Sequence, residues 1–278
     1  MASIFLAVPH HGSLIGGTMI GCVKASKDHQ ICIAESAFGC LTHNFNMLLT
    51  VCLNHRHVGH FTHFAMIHSD IAPAEGWLDV LMEEITKHEA DVVSNVIAIR
   101  DMRGLTSTGI GTFGRWSTDR LTLKQIHELP ETFGIESLTD DPGKFLAINT
   151  GLWVCDITRP WIDSFTASGQ PGFHVENRFW RDDEGVIATE FRPEDWAFSE
   201  WAARHDMKVM ASRRVAARHN GPMDFGNDCV YGSYTYDEDY SKIIKLEDLV
   251  NPRDHPVTHR QAPSKNGVAV ADGARSPG

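Results

Sequence analysis

The chain has 278 residues, of which 42% are hydrophobic and 22% charged, a composition typical of a globular protein. Its length suits one large domain, or a domain with an appendage, with a substantial buried core. The formal net charge of -11 argues against non-specific nucleic-acid binding driven by net charge, and leaves only a local basic groove as an alternative.

The six cysteines form no C-x-x-C pair and lie mostly in apolar runs, which predicts reduced core residues of a cytoplasmic protein. The first apolar run, residues 4–8, lacks a basic segment before it and is too short for a signal peptide. No stretch approaches the ~20 apolar residues that span a bilayer. We therefore expect a cytoplasmic protein without a membrane span.

The first quarter of the chain alternates predicted strands and helices. A strand over residues 3–8 leads into a loop that contains Pro9, His10 and Gly12. Ser13 is placed to cap a helix that runs to about residue 25. A second strand covers residues 31–34. A helix over residues 42–54 follows, with Asn44 and Asn46 near its start.

The central strand is predicted in the stretch FTHFAMIHSD, where an apolar run stops at His68, Ser69 and Asp70. Ligands of open α/β sheets bind outside the carboxyl ends of the strands, and residues two apart on a strand point the same way. His68 and Asp70 are therefore candidates to hold a divalent metal. The alternative is an Asp that caps a strand-to-helix turn. An amphipathic helix over 76–88 and a strand over 91–99 complete a βαβ pattern.

The middle of the chain is less regular. Residues 104–116 are rich in glycine and predict a mobile or ligand-covering loop. Residues 145–156 form two apolar halves around Asn149, Thr150 and Gly151, and residues 172–191 predict a hairpin or covering flap. The chain contains no G-x-G-x-x-G after its first strand, no phosphate-binding P-loop and no nucleophile elbow.

Two acids open a predicted helix further along the chain, Glu194 and Asp195, directly after Pro193. Acids in a first helical turn also complement the helix dipole, which is the structural alternative for this pair. A strand over residues 208–211 follows, and then His219. A lone histidine after a strand is structural more often than it is a ligand.

The order of these motifs resembles that of GT-A glycosyltransferases, nucleotide-sugar-dependent enzymes in which a D-x-D or D-x-H motif at the end of a central strand binds a divalent cation. The G-G-L-F-type strand of the family matches residues 150–153, its E-N or E-D helix matches Glu194 and Asp195, and its late histidine matches His219. The site is similar to those of polypeptide N-acetylgalactosaminyltransferases and mannosylglycerate synthase. The resemblance covers residues 3–220, and His68 replaces the first carboxylate of D-x-D.

The resemblance implies a doubly wound, mostly parallel α/β sheet with helices on both faces and a small acceptor-side flap. It implies that Asp70, His219 and His68 are the metal ligands. The imidazole nitrogens of the two histidines favour Mn²⁺ over Mg²⁺. Asp195 or Glu194 is expected to be the general base, or, in a retaining enzyme, to bind the donor sugar. The implied donor-binding residues come from four segments: Val8, Pro9, His10, Gly12, Asn44, Asn46, His68, Ser69, Asn149, Thr150 and Gly151.

The expected partners are a nucleoside-diphosphate sugar and a hydroxyl acceptor. The acceptor is ranked as a saccharide or small molecule first and as hydroxymethylated DNA second, since some phage glycosyltransferases modify such bases. Phe173, Phe179 and Trp180 of the flap, alongside Arg178 and Arg181, are the candidate acceptor contacts, and core packing is the alternative for the aromatic residues.

Two other classes of function stay open at this point. One is a metal-dependent nucleotidyltransferase or hydrolase that acts on nucleotide sugars, although the first loop lacks a glycine-rich basic signature. The other is a non-catalytic nucleotide-sugar-binding module. The predicted division of the chain is a glycosyltransferase domain over 1–225, an extension over 226–250 and a disordered tail over 251–278.

Overall fold

The computed structural model describes residues 1–101, 103–116, 118–181, 185–221 and 224–228. The strands are β1 (Ser3–Pro9), β2 (Gln30–Ser36), β3 (His63–Ile67), β4 (Ile71–Pro73), β5 (Val92–Asn95), β6 (Leu105–Thr112), β7 (Thr118–Thr122), β8 (Thr132–Phe133), β9 (Lys144–Ala147), β10 (Leu152–Asp156), β11 (Glu176–Arg181), β12 (Ile187–Arg192), β13 (Val209–Ser212), β14 (Ala217–Asn220) and β15 (Asp224–Gly226). The helices are α1 (Gly16–Val23), α2 (Leu41–Gly59), α3 (Trp77–His88), α4 (Leu123–Glu128), α5 (Trp161–Phe165) and α6 (Glu194–Arg204). The predicted tail, and the predicted extension beyond residue 228, lie outside the described residues.

A seven-stranded sheet in the order β2-β1-β3-β10-β5-β13-β8 forms the centre of the fold. Strands β1, β2 and β3 are parallel, and so are β5 and β13. Strand β10 is antiparallel to both β3 and β5, and β8 is antiparallel to β13. The protein is thus α/β, with a large, mixed and mostly parallel sheet.

Helices pack on both faces of this sheet because its strands are apolar on both sides. In β1, Leu6 belongs to a core cluster with Leu78 of α3, whereas Phe5 belongs to a second cluster with Phe45 of α2 and Phe198 of α6. Neighbouring residues of a strand point to opposite faces, so the two clusters lie on opposite sides. The parallel strands end at the same edge, and the predicted site lies there.

The prediction of a mobile loop over residues 104–116 is wrong, because most of this segment is strand β6. Strand β6 pairs with β7 and with β9 in a separate three-stranded sheet. A Cβ atom on Gly109 would collide with the carbonyl oxygen of Asp119, and one on Gly111 would collide with the ring of Phe145. The glycines therefore permit close packing between strands, which composition alone does not distinguish from loop flexibility.

We expect Gly109→Ala to lower the free energy of unfolding by about 1–3 kcal/mol, because the added methyl group meets backbone atoms that cannot move independently. Urea unfolding followed by circular dichroism measures the change. Gly16→Ala is the matched control, since nothing lies within 4 Å of a Cβ built there. Equal stability of the Gly109 variant and the native protein would contradict this account of β6.

Several predicted boundaries differ from the observed ones. Helix α1 begins at Gly16 after Ile15, with no side-chain cap, so Ser13 does not cap it. Helix α2 extends to Gly59 and is longer than predicted. Pro193 is the residue before α6 rather than its first residue. These differences shift the ends of elements and leave their order unchanged.

The five described cysteines are free, as predicted, but Cys32 and Cys40 are exposed and so do not belong to the core. Cys32 lies on β2, which is an edge strand of the main sheet. Within the described part of the chain, no helix is both long enough and apolar enough to cross a membrane.

Candidate functional site

Asp70 and His219 are brought together by a small sheet at the carboxyl edge of the main one. Asp70 follows β3, and the loop that was expected between it and helix α3 contains the short strand β4. Strand β4 pairs antiparallel with β14, which places His219 opposite Ile71. The backbone N–H of Asn220 donates to the carbonyl oxygen of Asp70 at 2.9 Å. This pairing joins two residues that are 149 positions apart.

The ring of His219 is oriented by a backbone hydrogen bond. Its Nδ1 lies 2.9 Å from the carbonyl oxygen of Ala98, and because a carbonyl only accepts, Nδ1 carries the hydrogen. Its Nε2 faces Oδ2 of Asp70 at 3.3 Å. In the neutral imidazole both of these atoms are electron-pair donors, so the pair is favourable only with a proton or a cation at Nε2. Metal-binding histidines have the same arrangement, with the distal nitrogen tied to a backbone or carboxylate oxygen.

Charged neighbours keep Asp70 ionised. Burial alone would raise the pKa of Asp70, but the hydrogen bond and charge of His219, with a smaller contribution from Arg100, hold it below its usual value. The guanidinium of Arg100 forms an ion pair with the same Oδ2 atom. Asp70 is therefore an anion at neutral pH, the state in which it can bind a cation.

His68 directly follows β3, two residues before Asp70. Its backbone N–H donates to the carbonyl oxygen of Gly151 at 2.8 Å, and its ring lies 5.1 Å from that of Phe45. Burial lowers the pKa of His68 to about 4, so the ring is neutral at physiological pH. Its Nε2 is buried and has no hydrogen-bond partner among the described residues.

Across the described ranges, no three His, Cys, Asp or Glu side chains are grouped so that they could hold a metal ion. Asp70 and His219 form a two-residue set, and His68 does not complete it. Cations that bind with substrate phosphates commonly use one or two protein ligands and several waters. The carboxylate and the oriented imidazole fit such a cation, and the inclusion of His68 as a ligand stays a prediction.

The predicted donor-binding residues Val8 and Pro9 are the last two residues of β1, and His10 and Gly12 lie in the first loop, which follows it. The side chain of Val8 is buried in the core, so only its backbone faces the edge of the sheet. His10 accepts a hydrogen bond at Nδ1 from the N–H of Gly12 at 3.0 Å, and its Nε2 lies 3.3 Å from a carboxylate oxygen of Glu35. Gly12 has a φ of 93° and open space around it. The loop is thus held by local contacts at an exposed position.

The two predicted asparagines of α2 hold neighbouring loops. Asn44 accepts hydrogen bonds from Ser36 and Phe38 and donates to the carbonyl oxygens of His10 and Phe38, which saturates its amide. Asn46 exchanges two hydrogen bonds with the backbone of Phe173. Both residues therefore position the segments beside the site, and a direct contact with a nucleotide would have to replace one of these bonds.

The turn between β9 and β10 is built around Asn149. Its Oδ1 accepts from the N–H of Gly151 at 2.9 Å, and its Nδ2 donates to the carbonyl oxygen of Asn95 at 2.6 Å. The hydroxyl of Thr150 is buried and has no hydrogen-bond partner among the described residues.

Ser69, another predicted donor-binding residue, is bound to helix α1. Its carbonyl oxygen accepts a hydrogen bond from the hydroxyl of Thr18.

The acid pair lies at the start of α6. Burial, and then the charge of Glu194, raises the pKa of Asp195 to about 8, and burial also raises the pKa of Glu194. The hydroxyl of Ser199 donates to the carbonyl oxygen of Asp195, and the N–H of Ile148 donates to that hydroxyl at 3.0 Å. These bonds connect the start of α6 to the Asn149 turn beside His68.

The predicted flap is a hairpin of β11 and β12, and its acidic turn at residues 182–184 lies outside the described residues. One face packs on the body of the protein, where Arg178 stacks on the ring of Trp116 at 4.5 Å. Phe179 is 82% exposed, whereas Phe173 is 2% exposed and belongs to the core. Phe173 is therefore withdrawn as an acceptor contact.

Sequence reasoning missed two arginines beside the site. Arg100 directly follows the strand predicted over residues 91–99. The rule that ligands bind outside the carboxyl ends of the strands was therefore sufficient to find it. Arg120 stacks on Trp196 at 4.4 Å and opposes the rise in the pKa of Asp195. Nothing in the sequence places Arg120 near α6, because β7 meets that helix only through tertiary packing.

No protein-family profile and no curated protein matches the chain. Among solved structures, A197 from STIV is 13% identical, with 82% of this chain and 91% of that chain covered and a TM-score of 0.48. The uridine diphosphate N-acetylglucosamine pyrophosphorylase from Trypanosoma brucei is 14% identical, with 57% of this chain and 30% of that chain covered and a TM-score of 0.31. Both TM-scores are below 0.5.

Proposed function

We propose that the chain is a metal-dependent glycosyltransferase that moves a sugar from a nucleoside-diphosphate sugar to a hydroxyl acceptor. The observation that supports this most is the pair of Asp70 and His219, with Nδ1 of the imidazole tied to Ala98 and Nε2 directed at the carboxylate. The pair lies at the carboxyl edge of a mostly parallel sheet, where ligands of such sheets bind.

The proposed reaction needs positive charge at the leaving group. A nucleoside diphosphate gains negative charge as the glycosidic bond breaks, and a bound divalent cation neutralises that charge as a Lewis acid, worth several kcal/mol. Asp70 and His219 would hold the cation, and the nitrogen ligand favours Mn²⁺ over Mg²⁺. His68 and Thr150, whose buried polar atoms have no described partner, are the further candidates for donor contacts.

The acid pair supplies the proposed base. Asp195, with a pKa of about 8, is close to the operating pH that suits a general base acting on an acceptor hydroxyl. Glu194 is beside it and raises that pKa by its charge. In a retaining reaction the same carboxylate would instead bind the donor sugar, and product stereochemistry determined by NMR distinguishes the two outcomes.

The function is tested by incubating the protein with Mn²⁺, a panel of nucleotide sugars and candidate acceptors, and by measuring the released nucleoside diphosphate. A glycosyltransferase releases the diphosphate and yields a glycoside. Release of a nucleoside monophosphate or of pyrophosphate would indicate a hydrolase or a nucleotidyltransferase. Binding of the donor without turnover of any acceptor would indicate a binding module.

We expect the nucleoside to bind beside the first loop, between Pro9 and Gly12, with uridine or guanosine as the base. Saturation-transfer NMR, in which methyl and ring protons of the protein are saturated and the effect is read on the base protons of UDP and GDP, locates the base. A base that contacts only the flap, with no transfer from residues near Pro9, would contradict this placement.

For the acceptor, we expect transfer to a saccharide or small hydroxyl compound rather than to DNA, because the net charge of -11 opposes a polyanion. A transfer assay with radiolabelled donor on hydroxymethylated duplex DNA, with unmodified duplex as control, tests this ranking. Label that enters only the hydroxymethylated duplex would reverse it.

A further inference from the structure

Arg100 forms an ion pair with the carboxylate that the proposed metal needs. Its guanidinium contacts Oδ2 of Asp70, the same atom that faces Nε2 of His219. A divalent cation bound to that oxygen would lie against a permanent positive charge, and like charges at contact distance repel strongly. Arg100 at its observed position therefore weakens the binding of a divalent cation to this oxygen.

The structure holds Arg100 in place by weak and reversible means. Its side chain is 43% exposed, and an exposed ion pair contributes little to stability. The alkyl part lies on the backbone of Gly221, where a Cβ would be 2.9 Å from Cδ of Arg100. Gly221 directly follows β14, the strand that contains His219, so the side chain of Arg100 packs beside the end of that strand.

Once released, Arg100 has no other acidic partner among the described residues. The neighbouring Asp101 is occupied by Arg103, which bonds to both of its carboxylate oxygens. The planar fork of a guanidinium matches phosphate oxygens in a bidentate manner. The diphosphate group of a donor bound at the same cation is therefore the anion best suited to pair with the released guanidinium of Arg100.

We propose that Arg100 is the counter-ion of the cation site: it neutralises Asp70 in the metal-free protein and moves to the phosphates of the donor when a divalent cation takes Asp70. This inference rests on the proposed function, because it assigns the donor to that site. It makes Arg100 a donor-contact residue and makes metal binding a competition with a side chain of the protein itself.

The first test is a calorimetric titration of the full-length protein with Mn²⁺ alone. Arg100→Gln is expected to bind Mn²⁺ about two- to fivefold more tightly than the native protein, the range that corresponds to loss of one exposed ion pair. Gly221→Ala should shift the affinity in the same direction, because it displaces Arg100 while it keeps the charge. Arg103→Gln removes the same charge from the same loop and should leave the affinity unchanged.

The second test titrates UDP and GDP at saturating Mn²⁺. Arg100→Gln is expected to bind the nucleotide at least about tenfold more weakly, as loss of a charge-assisted hydrogen bond implies. The proposal would be overturned by equal Mn²⁺ affinity of the native protein and Arg100→Gln, or by a gain in Mn²⁺ affinity in Arg103→Gln as large as that in Arg100→Gln. It would also be overturned if Arg100→Gln bound the nucleotide as tightly as the native protein does, or if no variant bound Mn²⁺. If the Mn²⁺ and nucleotide titrations give the expected order while no nucleotide sugar is turned over, the proposed transfer fails and the role of Arg100 stands.

Discussion

Asp70→Asn is expected to weaken Mn²⁺-dependent binding of a nucleoside diphosphate by at least about 100-fold, because even the loss of an outer partner of a metal ligand costs 10- to 100-fold. The asparagine keeps the size of the side chain but removes the negative charge that a cation needs. The residue is partly exposed and its ion pair is on the surface, so the free energy of unfolding should change by about 1 kcal/mol or less. Isothermal calorimetry with UDP and GDP, with and without Mn²⁺, measures the effect.

Asp101→Asn is the matched control for that variant. Asp101 lies at the same edge and is also paired with an arginine, Arg103, but it does not face a histidine. It should bind the nucleotide as the native protein does. Unchanged calorimetric affinity in Asp70→Asn would show that this carboxylate is not a metal ligand.

Asp195→Asn should lower the rate of transfer by ~10²–10⁴-fold and leave donor affinity nearly unchanged, since a general base acts in the transition state and contributes little to ground-state binding. The measurement is kcat with saturating donor and acceptor, together with calorimetric donor affinity. Full activity in this variant would move the catalytic role to Glu194 or to another residue.

The pH dependence of transfer gives an independent test of the same residue. Only the ionised carboxylate can accept a proton, so kcat should rise with pH through a midpoint at about 8 and level off above that pH. Glu194→Gln removes a negative charge that raises the pKa of Asp195, so the midpoint should move to lower pH. A midpoint that stays in place would show that another group controls the profile.

The raised pKa of Asp195 also has a consequence for stability. The folded state holds the proton more tightly than the unfolded chain, so this residue favours folding below the ordinary pKa of an aspartate, and the contribution is lost as the pH rises through about 8. Asp195→Asn, which stays neutral, should therefore gain stability relative to the native protein as the pH rises over that window.

The sequence was sufficient to predict the apolar strands and the carboxyl edge at which they end. Asp70 lies there, shortly after the observed end of the predicted central strand, because alternation and chain order are local properties of the sequence. His219 lies on β14, a strand that was not predicted, and it reaches Asp70 through the pairing of β14 with β4. The amphipathic helix α3 was predicted almost to its ends for the same reason.

Features that depend on pairing between distant strands could not be predicted. Strand β10 is antiparallel within the main sheet because Gly151 sits at the end of β3, so the chain enters β10 from the carboxyl edge and runs back. The amide of Asn44 is saturated by a loop that only the folded chain brings to it.

The most direct test of the central claim is anomalous diffraction at the manganese edge from crystals grown with Mn²⁺ and UDP or GDP. We predict a manganese peak within about 2.0–2.6 Å of Oδ2 of Asp70 and of Nε2 of His219, with the diphosphate on its open side. A manganese peak elsewhere, or an ordered diphosphate bound without any peak at this pair, would contradict the account.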